Sequence, residues 1–427
     1  MRRLLYISSL LLILPGLYFI APVYQFYAHR GEAPMPFWGY LTLAVESPTS
    51  SEVHVSQYEQ AATQAIALLT EHQKNMYAPG ISAAIAIDGE LVWTGTAGWA
   101  DIAAQEPMSS ATQFRIGSTS KALTSTLLAR LVQEKQLLLD TPLSEYKLSE
   151  LNPNWKDITA RQLSSHMSGL PHYKDNTEFS GLYRSIALNS SYPDVNDAVS
   201  LFDESELLFS PGEDFSYSSY GSVLLSALIQ EAGQISYQSL MNKLVLQPLE
   251  MQATLPTAAQ VDFENNAEHL ATFYWREHDN ATRVRPWRDV DLSHRLAGGG
   301  FISTPSDLVK LGNGFIDEDF INEAIRAQFW TPQQLNNGEV NEQHYAIGWR
   351  VHQTKLSDEI GDVLVANHGG VSRGSQSWLM VIPEYNAVIA LNTNCKTTQF
   401  WDFAKVSKPI ASLFLLAKAE LTAVSPG

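Results

Sequence analysis

Three short stretches carry residue types that can perform acyl-transfer chemistry. In "GSTSKALTS" (Gly117 to Ser125), Ser118 stands three residues before Lys121. Residues three apart lie on one face of a helix, about one turn distant. A serine hydroxyl is a poor nucleophile unless a neighbouring base takes its proton, and a lysine kept neutral by burial or nearby cations can be that base. In "PGEDFSYSSYGSVLLSALIQEAG", Tyr217 and Ser219 fall at the corner between the Pro211-Gly212 turn and a helix. A phenol held between cations can shuttle a proton from such a corner. In "ANHGGVSRGSQSWLMVIPE", His368 precedes Gly369 and Gly370. Backbone without side chains lets a substrate come close, and an N–H just beyond can stabilise an oxyanion.

Each stretch also has an ordinary reading, as a helix cap with a solvated lysine, an aromatic packed under a turn, or a hairpin with an exposed histidine. A second match, "SEYK" (Ser144 to Lys147), shows that Ser-x-x-Lys alone decides little. It follows "DTP" and opens no amphipathic helix. After Lys121, in contrast, Leu123, Leu127 and Leu131 recur at i, i+4 and i+8, with Leu128 and Val132 beside them. That periodicity predicts a buried helix of about five turns with Ser118 at its start, where unpaired backbone N–H groups face outward and the dipole disfavours a lysine cation. Val223, Leu224, Ala227 and Leu228 predict a helix after Tyr217 in the same way.

Around these helices, strand patterns lie at both ends of the chain. "ISAAIAIDGELVWTGTAGWAD" reads as a hairpin turning at Asp88-Gly89. The runs "HYAIGWRVHQ", "DVLVANHGG", "SQSWLMVIPE" and "AVIALNTN" supply further strands. A helix carrying Ala61, Ala65, Leu68 and Leu69 precedes them, and another, roughly residues 401–421, follows. Since the ends of a domain usually lie close together, the expected fold is α/β of the α+β kind. One antiparallel sheet is built from both chain ends, flanked by the terminal helices, with a helical subdomain over roughly residues 120–310 inserted. The expected organisation is an N-terminal segment over 1–30, a linker over 31–56 and a hydrolase domain over 57–425.

Composition narrows the function. The formal charge of −17 argues against nucleic acid as a partner. Cys395, the single cysteine, forms no internal disulfide and reads as a buried filler. No H-E-x-x-H occurs, so neither a metal nor another cofactor is expected; "IDEDF" (Ile316 to Phe320) reads as a solvated acidic loop, and "AGGG" (Ala297 to Gly300) as close backbone packing. His166 and His172 read as structural residues near the cleft. Arg2 and Arg3 are followed by no charged residue from Leu4 to Ala28. As a helix that stretch would rise roughly 37 Å, enough to cross a bilayer core of about 30 Å. Signal-peptidase positions are poor, and a mitochondrial presequence would be more amphipathic and richer in arginine. The expectation is an uncleaved membrane anchor with the domain outside the cytoplasm, in a bacterial periplasm.

The order Ser-x-x-Lys, Tyr-x-Ser and His-Gly-Gly resembles the penicillin-recognising serine hydrolases. These are the group of class C β-lactamases, D,D-carboxypeptidases and family VIII esterases. "SHMSGLPHY" (Ser165 to Tyr173), "AGGGFISTPSDLVKLGNG" (Ala297 to Gly314), "FWTP" (Phe329 to Pro332) and "YAIGW" (Tyr345 to Trp349) are similar to the branch containing the mitochondrial serine β-lactamase-like protein and its bacterial relatives. The resemblance runs from about Pro79 to the last strand. It implies Ser118 as the acylated nucleophile, Lys121 as its base and Tyr217 as a proton relay. It also implies an oxyanion hole from the N–H groups of Ser118 and Val371, with Ser219, His368, Gly369 and Gly370 contacting substrate. Peptides, amides or small esters are the implied substrates, and a silent peptide- or cell-wall-binding member is the alternative. Ser219 stands where the family usually has Asn, and His368 where lysine is commonest. A partly charged imidazole there leads us to expect that activity on carboxylate-bearing substrates rises as pH falls toward 6.

Overall fold

The computed structural model describes residues 2–146, 148, 152–257 and 269–424, and side chains only within residues 16–421. Among them, an antiparallel sheet of eight strands forms the frame. Its strands are β1 (Thr49–Val53), β2 (Gly80–Ile87), β3 (Glu90–Asp101), β4 (Arg350–Ser357), β5 (Gly361–Ser372), β6 (Ser375–Ile382) and β7 (Ala387–Thr393), in the order β4-β5-β6-β7-β2-β3-β1. The short strand Glu106–Pro107 adds to the far end of β3. The central join is β7 to β2, where Val388 faces Ala86 and Leu391 faces Ala83. Both chain ends therefore build one sheet, and the expected α+β class holds.

Strand alternation divides the core. Along β2, Ile81, Ala83, Ile85 and Ile87 face one cluster while Ala84 and Ala86 face the other. On β7, Ala387, Ile389 and Leu391 follow the first set, Val388 and Ala390 the second. With both faces covered, β2 and β7 are buried at every position, which is why they read as continuous apolar runs. The outer face packs on helix α2 (Glu59–Asn75) and the C-terminal helix α6 (Ser407–Val424). The inner face packs on α5 (Pro305–Ile316), and beyond it lie the buried helices α3 (Ser120–Gln133) and α4 (Ser219–Gly233). The β2–β3 turn has Asp88 at φ 53° and Gly89 at φ 83°, as a two-residue hairpin of the right twist requires. Lys418 of α6 donates to Asp88 at 2.7 Å, fastening the last helix to this turn.

Two regions depart from expectation. Residues 49–53, read as part of a linker, pair with β3 as an edge strand; their exposed, polar sequence carries no alternation to announce it. Residues 274–276 and 283–286 form a small sheet with residues 41–42 inside a stretch read as helical. The membrane anchor expected over residues 1–30 finds no support in the structure. Among the described residues no helix is long and apolar enough to cross a membrane, and the side chains of residues 1–15 lie outside them. The remainder of helix α1 (Arg2–His29) packs on the domain: Phe19 meets Tyr183, and the His29 ring lies 4.8 Å from that of Trp287. The location outside the cytoplasm rested on that anchor and has no other support.

Gly89→Val places a β-branched residue at positive φ and is expected to destabilise the domain by about 1–2 kcal/mol. Urea unfolding measures this, and an unchanged midpoint would contradict the turn geometry.

Candidate active site

The segment before α3 is fixed by the sheet-like pairing of Phe114 and Arg115 with Ser303 and Ile302, and by the Ile116 N–H donating to the Phe301 carbonyl at 3.0 Å. Gly117 then turns at φ 52°, where a Cβ would lie 2.6 Å from the Val371 carbonyl carbon and oxygen. Ser118 follows in a short 3-10 turn that runs into α3, and it is partly exposed. Lys121 is buried in the first turn of α3. Its Nζ lies 3.4 Å from Ser118 Oγ, 3.1 Å from Ser219 Oγ and 2.7 Å from the Gly298 carbonyl. The glycine run 298–300 thus brings backbone beneath the amine, as close packing implies. Burial lowers the Lys121 pKa from its usual 10.5; Tyr217 opposes that shift, and Arg350 and Arg295 add to it.

Tyr217 stands over this amine, with Lys121 Nζ 4.9 Å from its ring centroid. The corner is braced by "SHMSG". The Ser216 N–H donates to the His166 carbonyl at 3.0 Å, and the Ser218 N–H to His166 Nδ1 at 3.3 Å. The His166 ring lies 4.2 Å from that of Tyr217. Ser218 caps α4 through the Gly221 N–H at 3.0 Å and itself donates to the Pro171 carbonyl at 2.7 Å. Burial alone would raise the Tyr217 pKa, but Lys121 and Arg350, with hydrogen bonding from Ser118 and Lys121, bring it below 10.0. His166 and His172 are both held neutral by burial and by Lys121, with His172 near pKa 3, in keeping with structural roles.

The third stretch lies at the end of β5, and here one expectation is corrected. His368 is wholly buried. Its Nδ1–H donates to the Gly369 carbonyl at 2.9 Å, which leaves Nε2 to accept from the Tyr345 hydroxyl at 2.8 Å. Burial, then Arg350 and Lys121, hold its pKa well below 6.5. A neutral, internally bonded imidazole offers no cation to a substrate carboxylate, so the expected rise in activity toward pH 6 loses its basis. Gly369 and Gly370 do not face open space either. A Cβ on Gly369 would overlap the Phe400 ring, and one on Gly370 the Ile116 carbonyl. These glycines let β5 press against the Ser118 segment and bring the Val371 backbone beside Gly117.

Ser118, Ser219, Gly298, Gly299 and Val371 line one cleft of about 500 Å³. Sequence reasoning missed Arg295 and Arg373, which share that cleft, and Arg350, whose guanidinium lies 5.6 Å from the Tyr217 ring centroid and 5.2 Å from that of Tyr345. Arg350 directly follows "YAIGW", a stretch already singled out, and that adjacency was the available signal. Ser144 is exposed in a 3-10 turn of its own, while Lys147 lies outside the described residues. Among the described residues no group of three or more His, Cys, Asp or Glu side chains converges as a metal site. Cys395 is buried.

Comparison with known proteins shows the family and the fold. The family model described as Beta-lactamase matches residues 65–407. The chain is 27% identical over 399 residues to the mitochondrial serine β-lactamase-like protein of Homo sapiens, covering 74% of this chain and 71% of that one. It is 26% identical over 322 residues to a penicillin-binding protein of Bacillus subtilis, covering 73% and 67%. Among solved structures, the octameric penicillin-binding protein homologue from Pyrococcus abyssi superposes with TM-score 0.67 at 23% identity, over 83% of this chain and 77% of that one. The D-amino acid amidase of Ochrobactrum anthropi gives TM-score 0.69 at 20% identity, over 83% and 99%.

The buried histidines have a consequence for stability. His166, His294 and His368 all have folded pKa values well below 6.5, burial being the first cause in each. The unfolded chain therefore binds more protons below about pH 6.5, so the stabilisation is present above that pH and lost as pH falls. Each group contributes roughly 1.4 kcal/mol per pH unit once well below 6.5. Urea midpoints should fall steeply between pH 6.5 and 5, and a flat profile there would show that the rings are accessible.

Proposed function

This chain belongs to the β-lactamase family of serine hydrolases, and on that premise we propose that it cleaves a peptide or amide bond through an acyl-enzyme on Ser118. The observation that carries the reading is the placement of Lys121 Nζ. It is buried, within reach of Ser118 Oγ and Ser219 Oγ, and its pKa is lowered first by burial. The Ser118–Lys121 separation of 3.4 Å is long for a hydrogen bond but ordinary for a catalytic pair without substrate.

In the first half-reaction Ser118 Oγ attacks the carbonyl carbon and its proton passes to Lys121 Nζ. The carbonyl oxygen takes up the negative charge facing the N–H groups of Ser118 and Val371, on segments that the Gly117 turn and the bare Gly370 allow to touch. Collapse of the tetrahedral species breaks the C–N bond. The leaving amine takes a proton relayed from Lys121 by the Tyr217 hydroxyl. In the second half-reaction water attacks the ester, a water proton returns through Tyr217 and Lys121, and Ser118 leaves with its proton restored. A phenol whose pKa Arg350, and Lys121 once it is charged, bring below 10.0 suits this relay. Ser219 serves here as a partner that orients the amine and as a small residue at the cleft floor.

Ser118→Ala and Lys121→Ala should each lower kcat by about 10³-fold or more, and Tyr217→Phe by about 10²–10⁴-fold. A serine-directed fluorophosphonate should label the wild type and not Ser118→Ala. Because only neutral lysine accepts the proton, kcat/KM should rise with pH through a pKa below 10.5. Labelling of Ser118→Ala equal to wild type would end the proposal. A screen of matched amides and esters then separates an amidase from an esterase that uses the same residues.

A further inference from the structure

The outer face of the sheet holds a hollow that shares no residue with the Ser118 cleft. It measures about 340 Å³ and lies between β4, β5 and β6 on one side and residues 401–408 on the other. Val365, Met380, Trp378, Trp401 and Ala404 give it mostly apolar walls. Strand alternation places Asn367 among them. Val363 and Val365 of β5 face the outer cluster while Leu364 and Ala366 face the inner one, so Asn367 points outward and His368 inward.

An asparagine in this position is destabilising. Asn367 is 1% exposed, and among the described residues neither its Oδ1 nor its Nδ2 has a hydrogen-bond partner. Met380 stands opposite it across the strand pair, and Trp378 is its diagonal neighbour on β6. The Trp378 indole Nε1 is also buried without an acceptor. Most buried polar groups in folded proteins are paired, and an unpaired one carries its full desolvation penalty. Two donor groups and one acceptor thus gather at the wall of a single cavity.

The charges around the hollow are engaged elsewhere. Lys405 is paired with Asp402 at 2.7 Å, and Lys408 donates to Thr354 Oγ1 at 2.6 Å. Burial, and then Lys408, hold the His352 pKa below 6.5, so its ring is neutral at pH 7. The walls therefore offer an amide and an indole N–H, with no uncommitted charge.

We propose that this hollow is a binding site for a small neutral aromatic carboxamide, on the opposite face of the sheet from Ser118. The ligand amide pairs with that of Asn367, whose Oδ1 accepts and whose Nδ2 donates, with the Trp378 N–H as a further donor. Its ring lies against Met380 and Trp401. The volume falls at the lower end of small-molecule pockets, about 300–1,000 Å³, which suits a compound of one ring. A carboxylate of the same shape would find no free cation and could not donate to Oδ1. The site stands independently of the acyl-transfer reading.

The test uses the full chain and three probes of similar shape, compared by calorimetry: benzamide, benzoate and N,N-dimethylbenzamide. Benzamide should bind with a Kd of about 1 mM or tighter. Benzoate, which brings a charge, and the dimethyl amide, which has no N–H, should each bind at least about tenfold more weakly. Asn367→Leu should abolish benzamide binding and raise the urea midpoint of the ligand-free protein, because it removes the unpaired amide. A gain in stability together with a loss of binding excludes misfolding as the cause. Trp401→Ala removes an exposed wall of the hollow and should weaken benzamide by roughly tenfold. Benzamide affinity unchanged in either variant places the probe elsewhere and overturns the site. Equal binding of the three probes, or no binding of benzamide to the native chain, overturns it as well.

Discussion

The amine of Lys121 is the point on which the site turns. Three separate segments supply its partners: the turn before α3 gives Ser118, the start of α4 gives Ser219, and the glycine run gives the Gly298 carbonyl. A buried amine must have its hydrogens accepted, and each of these acceptors is held by secondary structure of its own. The pairing of residues 114–115 with 302–303 sets the first segment against the third. The Ser218 cap and the His166 loop set the second. Arg350 and Arg295 complete the surroundings by making a charged lysine less favourable. Much of the inner core can be understood as scaffolding that delivers oxygen atoms to one nitrogen.

A comparable economy governs the glycines. At Gly117, Gly369 and Gly370 what matters is absent bulk, because each admits a neighbouring group into space that a Cβ would fill. The helical region and the sheet touch through main chain at this seam. That contact sets the Gly117 turn directly against the Val371 main chain.

The parts of this design that were legible in the sequence are those with a local signature. Leu123, Leu127 and Leu131 announce α3 and so put Ser118 and Lys121 on one turn. Asp88-Gly89 announces the hairpin, and the Pro211-Gly212 turn followed by apolar periodicity announces the corner at Tyr217. Residues whose meaning comes from distant partners were not legible. His368 looked like a cleft residue because it precedes two glycines, but its ring is claimed by the Tyr345 hydroxyl from another segment. Arg295 and Arg373 are 78 residues apart and carry no pattern; only the fold brings them to one wall. Residues 49–53 form an edge strand from a polar stretch because pairing with β3 is a backbone matter, indifferent to side-chain pattern.

The joining of β2 to β7 also sets a timetable for the molecule. The first hairpin is complete near residue 101, yet its central neighbour is the strand at 387–393. Strand β5, which brings Val371 beside Ser118, reaches that hairpin only through β6 and β7. Contacts this far apart along a chain form late and slowly. During synthesis the Ser118 segment is therefore made long before the backbone expected to complete its oxyanion site. A ribosome-bound chain can hold serine and lysine together on a helix and still lack the wall opposite them. A chain cut short before residue 387 keeps Val371 but lacks the strand that joins β6 to the first hairpin.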